Sequence, residues 1–266
     1  MTSLTGGVTQ VSLMRMTTQL PVEAVGESGD RVVTPDRVAR MAVAAGCAAT
    51  VAGALVGGVL GRFAMSLLAS RNPEDAGFTS DDGFTIGQVT AGGITQLVFA
   101  SIALAMVGAS VYMIVRPLLL GVGVVRVAVA SLGFGVTAAA LLIDPEGFDF
   151  SQLEPSWLPV ALFVVLPVTL VAVFSTLVER FLADDSWFLT APRRKVLPLL
   201  AIWLASGLAI VVVVPIFLVT LLLVAFVRLD VKPALLTVVR WSGRAVMAAI
   251  AAAGTWNLAA DISTIV

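Results

Sequence analysis

The residues best equipped for chemistry gather in the first half of the chain. Arg62 and Arg71 precede an acidic stretch, Glu74, Asp75, Asp81 and Asp82, and Asp81-Asp82-Gly83-Phe84 has the composition of a turn leading into a helix. Arg62 or Arg71 set against Asp81 or Asp82 would form ion pairs that pin a hairpin, which is the expectation. The same groups could instead take a ligand or a cation, and Arg62 with Asp81 or Asp82 at an outer surface could serve a lipid-modifying enzyme. Thr85, Gln88, Gly92 and Thr95 follow at helical spacing with Gln96 alongside. Buried amides need hydrogen-bond partners, so this polar stripe should bond to a neighbouring helix, and a solute pathway is its alternative use.

Asp144, Glu146, Asp149 and Glu154 supply the carboxylate oxygens that hard cations prefer, but their spacing matches no EF-hand loop and a solvated connector is expected. Arg193-Arg194-Lys195 would attract anionic lipid, yet reads first as a topology signal. Histidine is absent and Cys47 is the single cysteine. That removes Ser-His and Cys-His dyads, the usual haem and zinc ligands, and any disulfide within the chain. Ala44-Ala45-Gly46-Cys47 resembles a lipoprotein box, but the apolar run before it starts only at Met41, so Cys47 reads as a small helix residue. Gly121-Val122-Gly123-Val124-Val125-Arg126 lacks the strand context of a dinucleotide turn. No acid lies deep within an uncharged run, and a net charge of -1 excludes nucleic acid as a partner. No catalytic, cofactor-binding or metal-binding residue is assigned, and no cofactor is expected.

Hydrophobic helices must position whatever these groups do. Of the 266 residues 59% are hydrophobic and only 12% charged, with a mean hydropathy of +1.02, whereas soluble domains carry about a quarter charged residues. Crossing about 30 Å of hydrocarbon takes about 20 residues, and backbone satisfaction in lipid requires that they be helical. The fold class expected is an all-α membrane protein: a flexible cytoplasmic tail over residues 1–36, then a bundle of about six transmembrane helices over 37–266. The spans fall near 41–70, 85–115, 118–143, 157–179, 196–227 and 233–260. Arg62 and Arg126 lie close enough to span ends to snorkel to the interface. Pro215 is expected to kink the fifth run, with a functional hinge as the alternative, and Trp241 and Trp256 lie about 22 Å apart along the sixth, suiting two interfacial belts. With the N-terminus inside, the inner ends hold ten Lys and Arg, from Arg15 to Lys195. Arg62, Arg71, Arg228, Lys232, Arg240 and Arg244 lie outside, so both termini are expected in the cytoplasm.

Ala49, Gly53, Gly57 and Gly61 recur every four residues along the first span with Gly58 beside them, a groove that lets another helix approach closely. That helix could belong to the same chain or to a partner.

Gly61-Arg62, Asp81-Asp82-Gly83-Phe84, Arg116-Pro117, Asp144-Pro145 and Asp149-Phe150 together resemble a family of multi-spanning integral membrane proteins of actinobacteria. The resemblance covers roughly residues 41 to 180. It implies a bacterial inner-membrane location and brings no activity with it. The functional expectation is a non-enzymatic accessory or assembly subunit of a membrane complex, in contact with the lipid bilayer and with a membrane-protein partner or a second copy. A small-solute transporter or channel along the Gln88 and Thr95 stripe is the alternative.

Overall fold

The computed structural model describes residues 34–75, 77, 90–205 and 233–265, and every regular element among them is helical. Helix α1 (Pro35–Ala52) carries three start signals. Thr34 Oγ1 accepts the Arg37 amide at 3.3 Å, Pro35 occupies the first helical position, and Asp36 sits in the first turn. The helix runs on through a π-helical segment, Gly53–Leu60, into α2 (Gly61–Arg71). Helix α3 (Ala91–Val115) begins at Thr90, whose hydroxyl accepts the Gly93 amide at 3.1 Å.

The third crossing starts later than its apolar run suggests. Gly121 and Gly123 have φ of +77° and +53°, a region that interrupts a right-handed helix. A Cβ on Gly121 would also stand 2.5 Å from Val125 Cγ1. Residues 116–123 therefore form a turn, and α4 (Val124–Ala130) opens the crossing rather than residue 118. A second π-helical segment, Ser131–Gly135, joins α4 to α5 (Val136–Leu142). The chain continues through the short α6 (Phe148–Ser151), α7 (Trp157–Phe181), the single turn α8 (Trp187–Thr190), α9 (Arg193–Ala205) and α10 (Pro233–Ile265).

Five stretches are long and apolar enough to cross a membrane: Asp36–Arg71, Ala91–Val115, Val124–Leu142, Trp157–Phe181 and Thr237–Ile265. Of the run expected to cross at 196–227, only the portion in α9 falls within the described residues, and the tail before Thr34 lies outside them.

Helix α7 is packed against α1, α3, α4 and α5. The main core joins Ala42, Ala45, Ala48, Ala49 and Ala52 of α1 to Ala105, Met106 and Ala109 of α3 and Phe174 and Val178 of α7. Small side chains bring these axes close, which is the means of helix association when lipid offers no hydrophobic drive. Both π-helical segments lie at such approaches. A Cβ on Gly53 would fall 2.8 Å from Ile102 Cα, and one on Gly135 would fall 2.6 Å from Val168 Cα. A second cluster gathers Ala139, Ile143, Phe150, Val160 and Leu258 where α5, α6, α7 and α10 meet.

Helix α10 runs parallel to the third crossing. Gly243 lies against Leu118, Gly254 against Thr137, and Leu258 beside Ala139 and Ile143, so both helices advance in the same direction. Six strictly alternating spans would have made the sixth antiparallel to the third. The contacts that set the observed direction are those of two glycines eleven residues apart, each admitting a side chain from the facing segment.

Candidate functional site: a carboxylate between two guanidiniums

The most concentrated polar chemistry among the described residues is built around Glu179, two residues before the end of α7. Arg116, the residue after α3, grips it with two parallel bonds, Nε to Oε1 at 2.6 Å and Nη2 to Oε2 at 3.0 Å. Arg126, in the first turn of α4, places Nη1 at 3.2 Å and 3.1 Å from the two oxygens while its Nε donates to the Gly121 carbonyl. The hydroxyl of Tyr112, the one tyrosine in the chain, donates to Oε1 at 3.0 Å, and its ring meets Phe174 edge-on. The Glu179 and Arg126 side chains are each 18% exposed, low enough for these bonds to be shielded from water.

Local sequence explains each placement. Arg116 extends α3 past its last carbonyls, where a cation suits the helix dipole, and one turn earlier Tyr112 faces the same way. The turn made by Gly121 and Gly123 folds Arg126 back beside Arg116. Both guanidiniums sit next to the end of α7, and Glu179 offsets two charges that would otherwise repel across the turn. A carboxylate accepting five hydrogen bonds from three residues has little capacity left to take a proton from a substrate, so the geometry is that of a clamp. It ties α3, the turn, α4 and α7 together at one end of the bundle.

A second clamp stands at the same end. Arg40 Nε donates to Asp36 Oδ2 at 2.8 Å, and its Nη1 donates to the carbonyls of Phe188, Leu189 and Ala191 at 3.1, 3.4 and 2.7 Å. Arg193 Nε donates to the other Asp36 oxygen at 2.6 Å. One arginine thereby satisfies carbonyls at the end of α8 and fixes the α7 to α9 connection on α1, with Phe181 and Phe188 in ring contact at 4.7 Å. At the opposite end Asn72, 1% exposed, accepts the Glu154 amide at 2.8 Å and donates to the Leu68 carbonyl, joining the end of α2 to the loop before α7.

The residues singled out from sequence are distributed differently. Ala49 is fully buried, and Gly53, Gly57 and Gly58 meet Ile102, Ser101 and Val98 of α3, with Gly61 nearest Leu97. The groove of the first span is filled by the second span of the same chain. Thr95 is exposed and donates to the Ala91 carbonyl at 2.8 Å, Gln96 is exposed, and Gln88 lies outside the described residues. Arg71 is exposed, Arg62 Nη1 lies 3.9 Å from Met65 Sδ, and Asp81 and Asp82 lie outside the described residues. Arg126, placed near a span end by the sequence, turns to Glu179. Sequence reasoning passed over Glu179, Tyr112, Asp36 and Asn72, and used Arg40 and Arg116 for orientation and resemblance without giving them a partner. The available signal was an acid, Glu179, in the basic flank of a span, paired in composition with the lone tyrosine.

No family model matches the chain, and neither a curated protein nor a solved structure is significantly similar to it.

Proposed function

We propose that this is a non-enzymatic, multi-pass membrane protein acting as an accessory or assembly subunit of a membrane complex. The observation that carries the reading is the use of the polar groups between spans. Glu179 with its three donors closes three helices and a turn, and the buried hydroxyls of Ser110, Ser131 and Ser175 donate to carbonyls one turn back on their own helices. Glu179 serves cohesion between helices, and the serines are satisfied within their own. The described outward faces are wide and apolar: only 11% of the most hydrophobic stretch of α10 is buried, a surface that suits lipid or a further helix.

We further propose the plasma membrane as the location, with the Glu179 end in the cytoplasm. That end carries Arg37, Arg40, Arg116, Arg126, Arg180, Arg193, Arg194, Lys195, Arg240 and Arg244 against Asp36, Glu179, Asp184 and Asp185. At or toward the other end lie Arg62 and Arg71 against Glu74, Asp75, Asp144, Glu146, Asp149, Glu154 and Asp261. The direction of α10 moves Arg240 and Arg244 to the basic side, which sharpens the asymmetry that sets orientation. In this topology Thr34 is cytoplasmic and Ile265 is on the outer side, in place of two cytoplasmic termini.

Purification in mild detergent tests the subunit reading: a stoichiometric membrane-protein partner is expected to co-purify. A lone species, combined with solute flux in liposomes that Gln88→Leu and Thr95→Val abolish without loss of stability, would replace it with a transport function.

A further inference from the structure

An apolar groove among the described residues lies between α10 and the third crossing, holds about 460 Å³, and is lined by Leu118, Leu132, Phe134, Met247 and Ile250 together with Arg244. We propose that this groove seats one acyl chain of an anionic phospholipid whose phosphate rests on Arg244 and Arg240. Depth favours an acyl chain. The lining runs along α10 from Arg244 to Thr255, about 16 Å at 1.5 Å per residue, which is close to half of a hydrocarbon layer about 30 Å thick. The groove therefore spans one leaflet, with its charged end where a headgroup lies.

Charge selects the headgroup. Arg244 Nε donates to the Leu118 carbonyl at 3.0 Å, and its guanidinium stands 5.3 Å from the centre of the Trp241 ring. These contacts hold it in place while occupying one of its five N–H donors. Arg240 lies one turn earlier on the same face of α10 and is exposed. Among the described residues no carboxylate lies within ion-pair distance of either arginine. Two cations without a counter-ion among the described residues, four residues apart above an apolar trough, complement a phosphodiester with a chain beneath it. Trp241, exposed between them, marks the interfacial plane. The proposal is independent of whether the protein has a protein partner.

Native mass spectrometry of the full chain tests it, with phosphatidylglycerol and phosphatidylcholine of identical acyl chains as probes and thermal unfolding as a folding control. The wild type is expected to retain one phosphatidylglycerol at least tenfold more tightly than phosphatidylcholine. Arg240→Gln with Arg244→Gln should abolish that preference. Ala248→Phe, which fills the groove one turn below Arg244 and leaves both charges in place, should weaken phosphatidylglycerol binding at least tenfold. Equal retention of both lipids by the wild type overturns the proposal, since the groove then holds only solvating lipid. So does wild-type phosphatidylglycerol binding by a folded Ala248→Phe variant, since the charges then act without the groove. Displacement of the lipid by glycerol 3-phosphate at comparable concentration likewise reduces the site to a headgroup contact and overturns the acyl-chain assignment.

Discussion

Glu179 illustrates how a charge can be placed in a membrane protein for cohesion. Its two oxygens are shared between a bidentate arginine, a second arginine and a phenol, so removing its charge leaves two guanidiniums facing each other across a turn. Glu179→Gln keeps the shape and removes the charge. We expect it to destabilise the protein by about 1–3 kcal/mol, less than a fully buried pair because these side chains retain some exposure. Chemical unfolding in detergent reads this directly. The double variant Glu179→Gln with Arg126→Gln should recover part of the loss, since the second change removes the repulsion exposed by the first. An additive double variant would show that the two groups act separately. The clamp escaped notice in the sequence because its partners lie 53, 63 and 67 residues from Glu179, beyond the reach of any local spacing rule.

Among the helices, the most specific features are the close approaches. The glycine stripe of the first span was legible as a groove, because four-residue spacing places small residues on one side of a helix whatever faces them. Its occupant was not legible, and it proves to be α3. Two glycines separate the packing role from mere composition. A Cβ on Gly53 would stand 2.8 Å from both Ile102 Cα and the Ser101 carbonyl oxygen, main-chain atoms that no rotamer change can move. A Cβ on Gly108, in the same α3, would meet nothing within 4 Å. Gly53→Val should therefore cost about 1–3 kcal/mol by forcing α1 and α3 apart, whereas Gly108→Ala should be neutral or stabilise by up to about 1 kcal/mol. Comparable losses in the two variants would mean that the approach to α3 is not what sets the cost at Gly53. The turn at Gly121 and Gly123 was hidden for a different reason. Both glycines lie within an apolar run, and hydropathy carries no information about the sign of φ.

At the scale of the whole molecule, helical class and membrane character follow from composition alone, whereas the order of crossings does not. Counting apolar runs assigns each one a passage and an alternating direction. The contacts of Gly243 with Leu118 and of Gly254 with Thr137 make α10 parallel to the third crossing, information that exists only once distant segments meet. A reporter fused after Val266 should accordingly be active on the periplasmic side and one fused before Thr34 on the cytoplasmic side. Matching activity for both fusions would return the topology to an even number of crossings.

The clamp also has a history in time. Chains are made from the N-terminus at about 5–20 residues per second, and Glu179 follows Arg126 by 53 residues and Arg116 by 63. For roughly 3 to 13 seconds of synthesis the two arginines therefore exist without their carboxylate. During that interval the turn between α3 and α4 presents its full positive charge to the insertion machinery, the period in which such charge holds a loop on the cytoplasmic side. On the orientation proposed above, the same two side chains would serve first as an orientation signal and, once Glu179 arrives, as a fastening.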